Sequence, residues 1–196
     1  NSEITKKRVI RAKHLGDLVP KVVDNTENFY AYDFVEGDTA SEKITPEKMK
    51  ALVSWADKNL WLRDLPEVKF KNHCRYFYDT KTRKRVNAFL EKYARNGEHT
   101  INGVKVPSIS KLLANVPWNF LCDAKSHQFH GDFILDNIII QPDGNFKLLD
   151  WRHEFGDGLL ESGDVYYDLA KMNHNLTVNH DIVCRDLYDI KIDGEK

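Results

Sequence analysis

With 196 residues, 41% of them hydrophobic, the chain is long enough to bury a core of its own. Its 29 Lys and Arg against 30 Asp and Glu leave a formal net charge of −1, which argues against the broad basic surface of a nucleic-acid binder. No apolar run approaches membrane-spanning length, and Cys74, Cys122 and Cys184 are widely spaced with no Cys-x-x-Cys pair, the pattern of reduced thiols in a cytoplasmic protein.

The first predicted element is an amphipathic helix over Ile4 to Leu15, rich in basic residues. Val19-Pro20-Lys21-Val22-Val23 and Asn28 to Phe34 then read as paired strands around the polar turn Asp24-Asn25-Thr26-Glu27. From about Thr45 to Ala124 the spacing is helical. Met49, Leu52, Val53, Ala56 and Leu60 form one expected core stripe, and Val86, Phe89, Leu90 and Tyr93 a second. The basic run Lys81 to Arg85 reads as the solvated start of that second helix. Trp55, Trp61 and Trp118 lack interleaved bases and are expected to pack. Ile101-Asn102-Gly103-Val104 is a turn.

The chemistry-bearing stretch is His130-Gly131-Asp132-Phe133-Ile134-Leu135-Asp136-Asn137, followed thirteen residues later by Asp150-Trp151. Asn137 to Gln141 and Asn145 to Leu149 read as strands joined by the turn Pro142-Asp143-Gly144, so the chain folds back and returns Asp150 toward Asn137. Phosphoryl transfer asks for this arrangement: a carboxylate that takes the acceptor proton, an Asn five residues on that binds metal, and a later Asp that binds metal. Asp132, Asn137 and Asp150 occupy those places, and two hard oxygen ligands suit a magnesium ion that keeps several waters. His130 reads as a buried, hydrogen-bonded residue rather than a reactive one.

Beyond Asp150, Glu154, Asp157, Glu161 and Asp164 face one strong base, Arg152. Two readings stay open for this acidic excess: attraction of a cationic substrate, with Glu154 and Asp157 as its contacts, or a solvated loop with helix caps. Asp164 stands just before a helical pattern, where its side chain can cap free amides; Asp168 lies one turn on and is placed to brace the catalytic loop from behind.

Taken together, His130-Gly131-Asp132 with Asn137, then Asp150-Trp151, then Gly163-Asp164 running into Asp168-Leu169-Ala170, resemble the aminoglycoside phosphotransferase and choline kinase family of small-molecule kinases. The resemblance implies an α+β, protein-kinase-like bilobal fold, with a truncated small lobe and hinge over residues 1–36 and a mainly helical large lobe over 37–196. It implies Asp132 as catalytic base, Asn137 and Asp150 as magnesium ligands, and adenine held by backbone groups of Asp33, Phe34 and Val35 before the connector Glu36-Gly37. No Gly-rich phosphate loop and no strand Lys precede the first helix in this sequence, and the start at Asn1 without a Met reads as a piece of a longer chain.

The expected activity is ATP- and magnesium-dependent transfer of a γ-phosphoryl group to a hydroxyl of a sugar, amino sugar or amino alcohol, with neither nucleic acid nor membrane as partner. No long activation segment ending in Ala-Pro-Glu follows Asp150, so a protein acceptor fits less well. A noncatalytic, nucleotide-responsive or partner-binding module is the alternative.

Overall fold

The computed structural model describes residues 2–62, 69–93, 97, 99–178 and 180–191. The chain opens with helix α1 (Ser2–Leu15) and a short 3-10 turn at Gly16–Leu18, then forms the antiparallel pair β1 (Val22–Asn25) and β2 (Tyr30–Tyr32). The expected hairpin is present, but shorter and shifted. Its turn closes from the Thr26 amide to the Phe29 carbonyl at 2.8 Å, and Thr26 Oγ1 accepts a further bond from the Phe29 amide. Pro20 has no amide to give a ladder, and Val19, only 3% exposed, packs into the core instead of entering the strand.

A strand that the periodicity did not announce follows, β3 (Asp38–Thr39), too short to carry a pattern. It leads into α2 (Ala40–Lys43) and α3 (Pro46–Asn59), whose start is fixed by Thr45 Oγ1 accepting from the Lys48 amide and by Pro46 in the first turn. Of the expected stripe on α3, Leu52, Ala56 and the following Leu60 are fully buried, whereas Val53 is 41% exposed.

Next come α4 (Phe70–Cys74), a π-helical stretch Arg75–Thr80 and α5 (Lys81–Tyr93). Here the sequence expectation fails: no residue of α5 is buried, and Phe89 and Tyr93 lie 42% and 48% exposed, packed on each other at 5.0 Å between ring centroids. Helical period marks an apolar face; it does not supply the surface that covers it.

The hairpin β4 (His99–Ile101) and β5 (Val104–Val106) turns through Asn102 and Gly103, both at positive φ, and is followed by α6 (Ile109–Asn115) and α7 (Trp118–Leu121). A 3-10 turn at Leu135–Asn137 then delivers the chain into β6 (Ile138–Ile140) and β7 (Phe146–Leu148). β6 pairs with β7 on one side, Ile138 opposite Leu148, and with β3 on the other, Asp38 opposite Ile140, in a three-stranded sheet. Gly37 makes this possible: at φ 143 a side chain there would meet the Ile139 side chain at 2.7 Å. α8 (Val165–Thr177) and α9 (His180–Cys184) complete the described chain.

Two apolar clusters hold these elements together. The larger joins Ala12 and Leu15 of α1, Leu52 and Ala56 of α3, Ile138 and Leu148 of the hairpin, and Trp151, so the hairpin is the piece on which both helices close. The smaller is built on Phe70, Phe77, Phe129 and Phe155, with Phe77 and Phe155 stacked at 4.5 Å. The mixture of helices and small antiparallel sheets is an α+β architecture. Among the described residues no helix is long and apolar enough to cross a membrane.

Candidate active site

The loop from Phe129 to Asn137 sits between α8, α1 and the β6–β7 hairpin, and each of these elements fixes part of it. Gly131 has φ 89, and a Cβ there would lie 2.7 Å from the Phe129 ring, so the turn before Asp132 accepts only glycine without strain.

His130 is fully buried. Its Nδ1 accepts from the Asp132 amide at 3.2 Å, so the neutral ring carries its proton on Nε2 and donates it to the Leu149 carbonyl at 2.8 Å. Burial, reinforced by the nearby Arg11 cation, pushes the imidazole down to about 4. It is a clamp, as the sequence suggested. One ring ties the start of the loop to the residue before Asp150, and backbone bonds from Leu149 to Asn137 (2.8 Å) and from Arg152 to His130 (3.0 Å) close the same seam.

Asp168 of α8 is also fully buried, and its carboxylate accepts from the amides of His130 (2.8 Å) and Gly131 (2.6 Å) and from Trp61 Nε1 (3.1 Å). Burial pushes this carboxyl up to about 6, against the pull of those three donors and of Arg11. Among the described residues its hydrogen-bond partners are three donors, which fits the ionised form. Asp164 caps α8 by accepting from the Tyr166 amide at 3.0 Å, and it takes the Tyr78 hydroxyl at 2.6 Å. Both acids support the fold, as expected.

The structure brings Asp132 and Asn137 into direct contact: Asn137 Nδ2 donates to the Asp132 carbonyl at 3.0 Å and to its Oδ2 at 3.3 Å. With its amide nitrogen spent there, Asn137 keeps its carbonyl oxygen for another partner, which is what an oxygen-seeking metal takes. Asp150 stands two positions past the end of β7, at φ 54, with its side chain 59% exposed and Oδ1 held by Arg8 at 2.5 Å. A non-glycine residue in the left-handed region is uncommon, and here it sits on the carboxylate of interest. Asn137 and Asp150 thus offer two hard oxygen donors on adjacent segments, which fits magnesium with several retained waters. Among the described residues no group of three or more His, Cys, Asp or Glu side chains is placed to hold a metal.

The other expected site residues are dispersed. Asp33, Phe34 and Val35 line a cavity of about 860 Å³ beside α1 and β1, together with Gly16, Lys21 and Lys147. Phe34 is 92% exposed, and the Asp33 amide is already bonded to the Lys21 carbonyl at 3.0 Å. Asp132, Asn137 and Asp150 do not line this cavity. Glu154 is bound by Lys7 of α1 at 2.8 Å, whereas Asp157 lies exposed in a turn whose amide meets His73. Glu154 and Asp157 are therefore set in different surroundings.

Sequence reasoning missed the contribution of α1. Lys7, Arg8 and Arg11 bring three cations onto the segment that reads as acidic. Arg11, 1% exposed, donates to the Phe129 carbonyl at 2.5 Å and to Leu160 at 3.0 Å, and lies 4.2 Å over the Phe129 ring. Burial lowers its pKa to about 10. A signal was present: Arg8, Arg11, Ala12 and Leu15 share one helical face, and arginines on an apolar stripe announce buried acceptors. Lys171 and Asn175 of α8 were missed as well. Lys171 Nζ pairs with Asp132 Oδ1 at 2.6 Å, and Asn175 accepts from the Leu135 amide while donating to Asp136.

No individual curated protein and no solved structure matches the chain. Residues 8–190, from the arginine that meets Asp150 to beyond α9, match the phosphotransferase enzyme family, APH. The chain belongs to that family.

Proposed function

We propose that this protein is a bilobal, kinase-like small-molecule phosphotransferase, with residues 1–36 as a partial small lobe and hinge and 37–196 as the catalytic lobe. It moves the γ-phosphoryl group of ATP to a hydroxyl of a sugar, amino sugar or amino alcohol in the cytoplasm. The observation that carries the reading is the Asp132–Asn137 contact, with Asp150 returned beside it by the β6–β7 hairpin and held in register by His130.

Magnesium, when bound, neutralises phosphate charge that the acidic side chains alone would repel. The oxygens of Asn137 and Asp150 are the ligands that would hold it. Asp132 orients the acceptor hydroxyl and takes its proton as the new oxygen–phosphorus bond forms; the bond from the γ-phosphorus to its bridging oxygen breaks, and ADP leaves. Backbone groups of Asp33, Phe34 and Val35 hold the adenine. Glu154 and Asp157 remain candidate contacts for a cationic acceptor, Glu154 only after Lys7 releases it.

A screen of sugars and amino alcohols with ATP and magnesium tests the reading, with Asp132→Ala as control. Wild-type turnover should fall about 10²- to 10⁴-fold in that variant, the usual contribution of a general base. Unaltered turnover removes Asp132 from the mechanism. A second reading draws on the two ion pairs, Arg8 with Asp150 and Lys171 with Asp132. A noncatalytic nucleotide-responsive module would keep both closed. It predicts nucleotide binding with no transfer to any acceptor.

A further inference from the structure

α8 lays three side chains along the candidate catalytic loop at helical spacing. Asp168 takes the amides of His130 and Gly131, Lys171 takes Asp132, and Asn175 takes the Leu135 amide and Asp136. Positions i, i+3 and i+7 share one face, so the helix reads the loop in order. Their burial differs. Asp168 and Asn175 are 0% and 8% exposed, whereas the Lys171 and Asp132 side chains are 33% and 34% exposed.

Helix docking is therefore accounted for by the two buried side chains. An ion pair this open adds little to stability. It does place an ammonium 2.6 Å from the oxygen assigned to the acceptor proton, at a point that solvent reaches. A hydroxyl held about 3 Å from that carboxylate has its oxygen about 3 to 3.5 Å from the phosphorus it attacks. The equatorial oxygens of the phosphoryl group then fall within a short swing of the flexible lysine stem, which can exchange one anionic partner for another.

We infer that Lys171 is a further catalytic residue of this site: its ammonium leaves Asp132 Oδ1 for the oxygens of the phosphoryl group, stabilising the charge on that group and freeing the carboxylate for the acceptor. This rests on the phosphotransferase reading above. The arrangement gives one cation two successive tasks. In the resting site it holds Asp132 in place, and in the loaded site it counters charge where three anionic groups converge.

The test compares wild type, Lys171→Met and Lys171→Arg in the full chain. It measures calorimetric binding of magnesium ADP and of a non-hydrolysable magnesium ATP analogue, alongside kcat and KM. Lys171→Met should bind ADP as wild type does and lose the triphosphate analogue about tenfold, the worth of one charged hydrogen bond. Its kcat should fall about 10²-fold, with acceptor KM little changed and partial recovery in Lys171→Arg. Equal loss for both nucleotides, or none for either, overturns the assignment. A wild type that discriminates the two nucleotides through Lys171 yet transfers to no acceptor defeats the enzyme reading and the catalytic role with it, and leaves only the contact of Lys171 with the γ-phosphate standing. Turnover undiminished in Lys171→Met defeats the lysine assignment alone, and a wild type that binds neither nucleotide defeats both.

Discussion

Asp132 and Asp150 are both carboxylates beside one hairpin, yet their settings differ. Asp132 is held by a neutral amide and a lysine; Asp150 stands at positive φ against an arginine. Replacing Asp150 with Asn keeps the shape and removes the charge, so magnesium-dependent nucleotide binding should weaken about tenfold or more. Identical magnesium titrations for wild type and variant would remove Asp150 from the ligand set. Gly131 offers a second residue-level test. At φ 89, with the Phe129 ring in the way, Gly131→Ala should cost about 1–3 kcal/mol and displace Asp132. A thermal melt that does not move would show that the loop yields more easily than its packing suggests.

Among the elements, α8 matters most to the site because it supplies acceptors to amides that the loop's own turn leaves without partners. Asp168→Ala strands three donors, from His130, Gly131 and Trp61, and leaves the buried Arg11 without its nearby anion. The expected loss is about 3–5 kcal/mol in urea unfolding, and a loss below about 1 kcal/mol would mean that water reaches those amides. The role of α8 was legible in outline: Asp164 read as a cap and Asp168 as a brace, because capping chemistry is local and the run Gly163 to Ala170 carries it. α5 was misread for the converse reason. Its period is sound, but nothing in a helix's own sequence states whether another element lies against its apolar face.

For the molecule as a whole, the buried clamp makes one contribution to stability acid-sensitive. His130 has an ordinary value of 6.5 and is held at about 4 in the fold, so the unfolded chain binds more protons between those values. Its contribution, on the order of 3 kcal/mol, is complete above about pH 6.5 and is lost as pH falls toward 4. Asp168 runs the other way. Raised from 3.8 to about 6, it favours the fold most below 3.8 and loses that contribution as pH rises through 6. The two oppose each other across the same window. The stability gap between wild type and His130→Gln should therefore grow from pH 4 to 6.5 and then level off; a gap independent of pH would show that the ring titrates normally.

The sequence by itself determined the parts written within one short stretch: the Asp132–Asn137 spacing, the Pro142-Asp143-Gly144 hairpin that turns Asp150 back, and the cap at Asp164. Turn and cap chemistry acts over a few residues, so single positions reveal it. Only the tertiary structure decided what neutralises the acidic segment, because Lys7 and Glu154 lie 147 positions apart and Arg11 and the Phe129 carbonyl 118 apart. It alone also set Lys171 against Asp132, Trp61 against Asp168, and β3 beside β6. Such pairs form when apolar faces close on the hairpin and bring charged residues with them. No local pattern in the chain encodes that registry, since charge and hydrogen-bond partners are chosen by the packing of elements already formed.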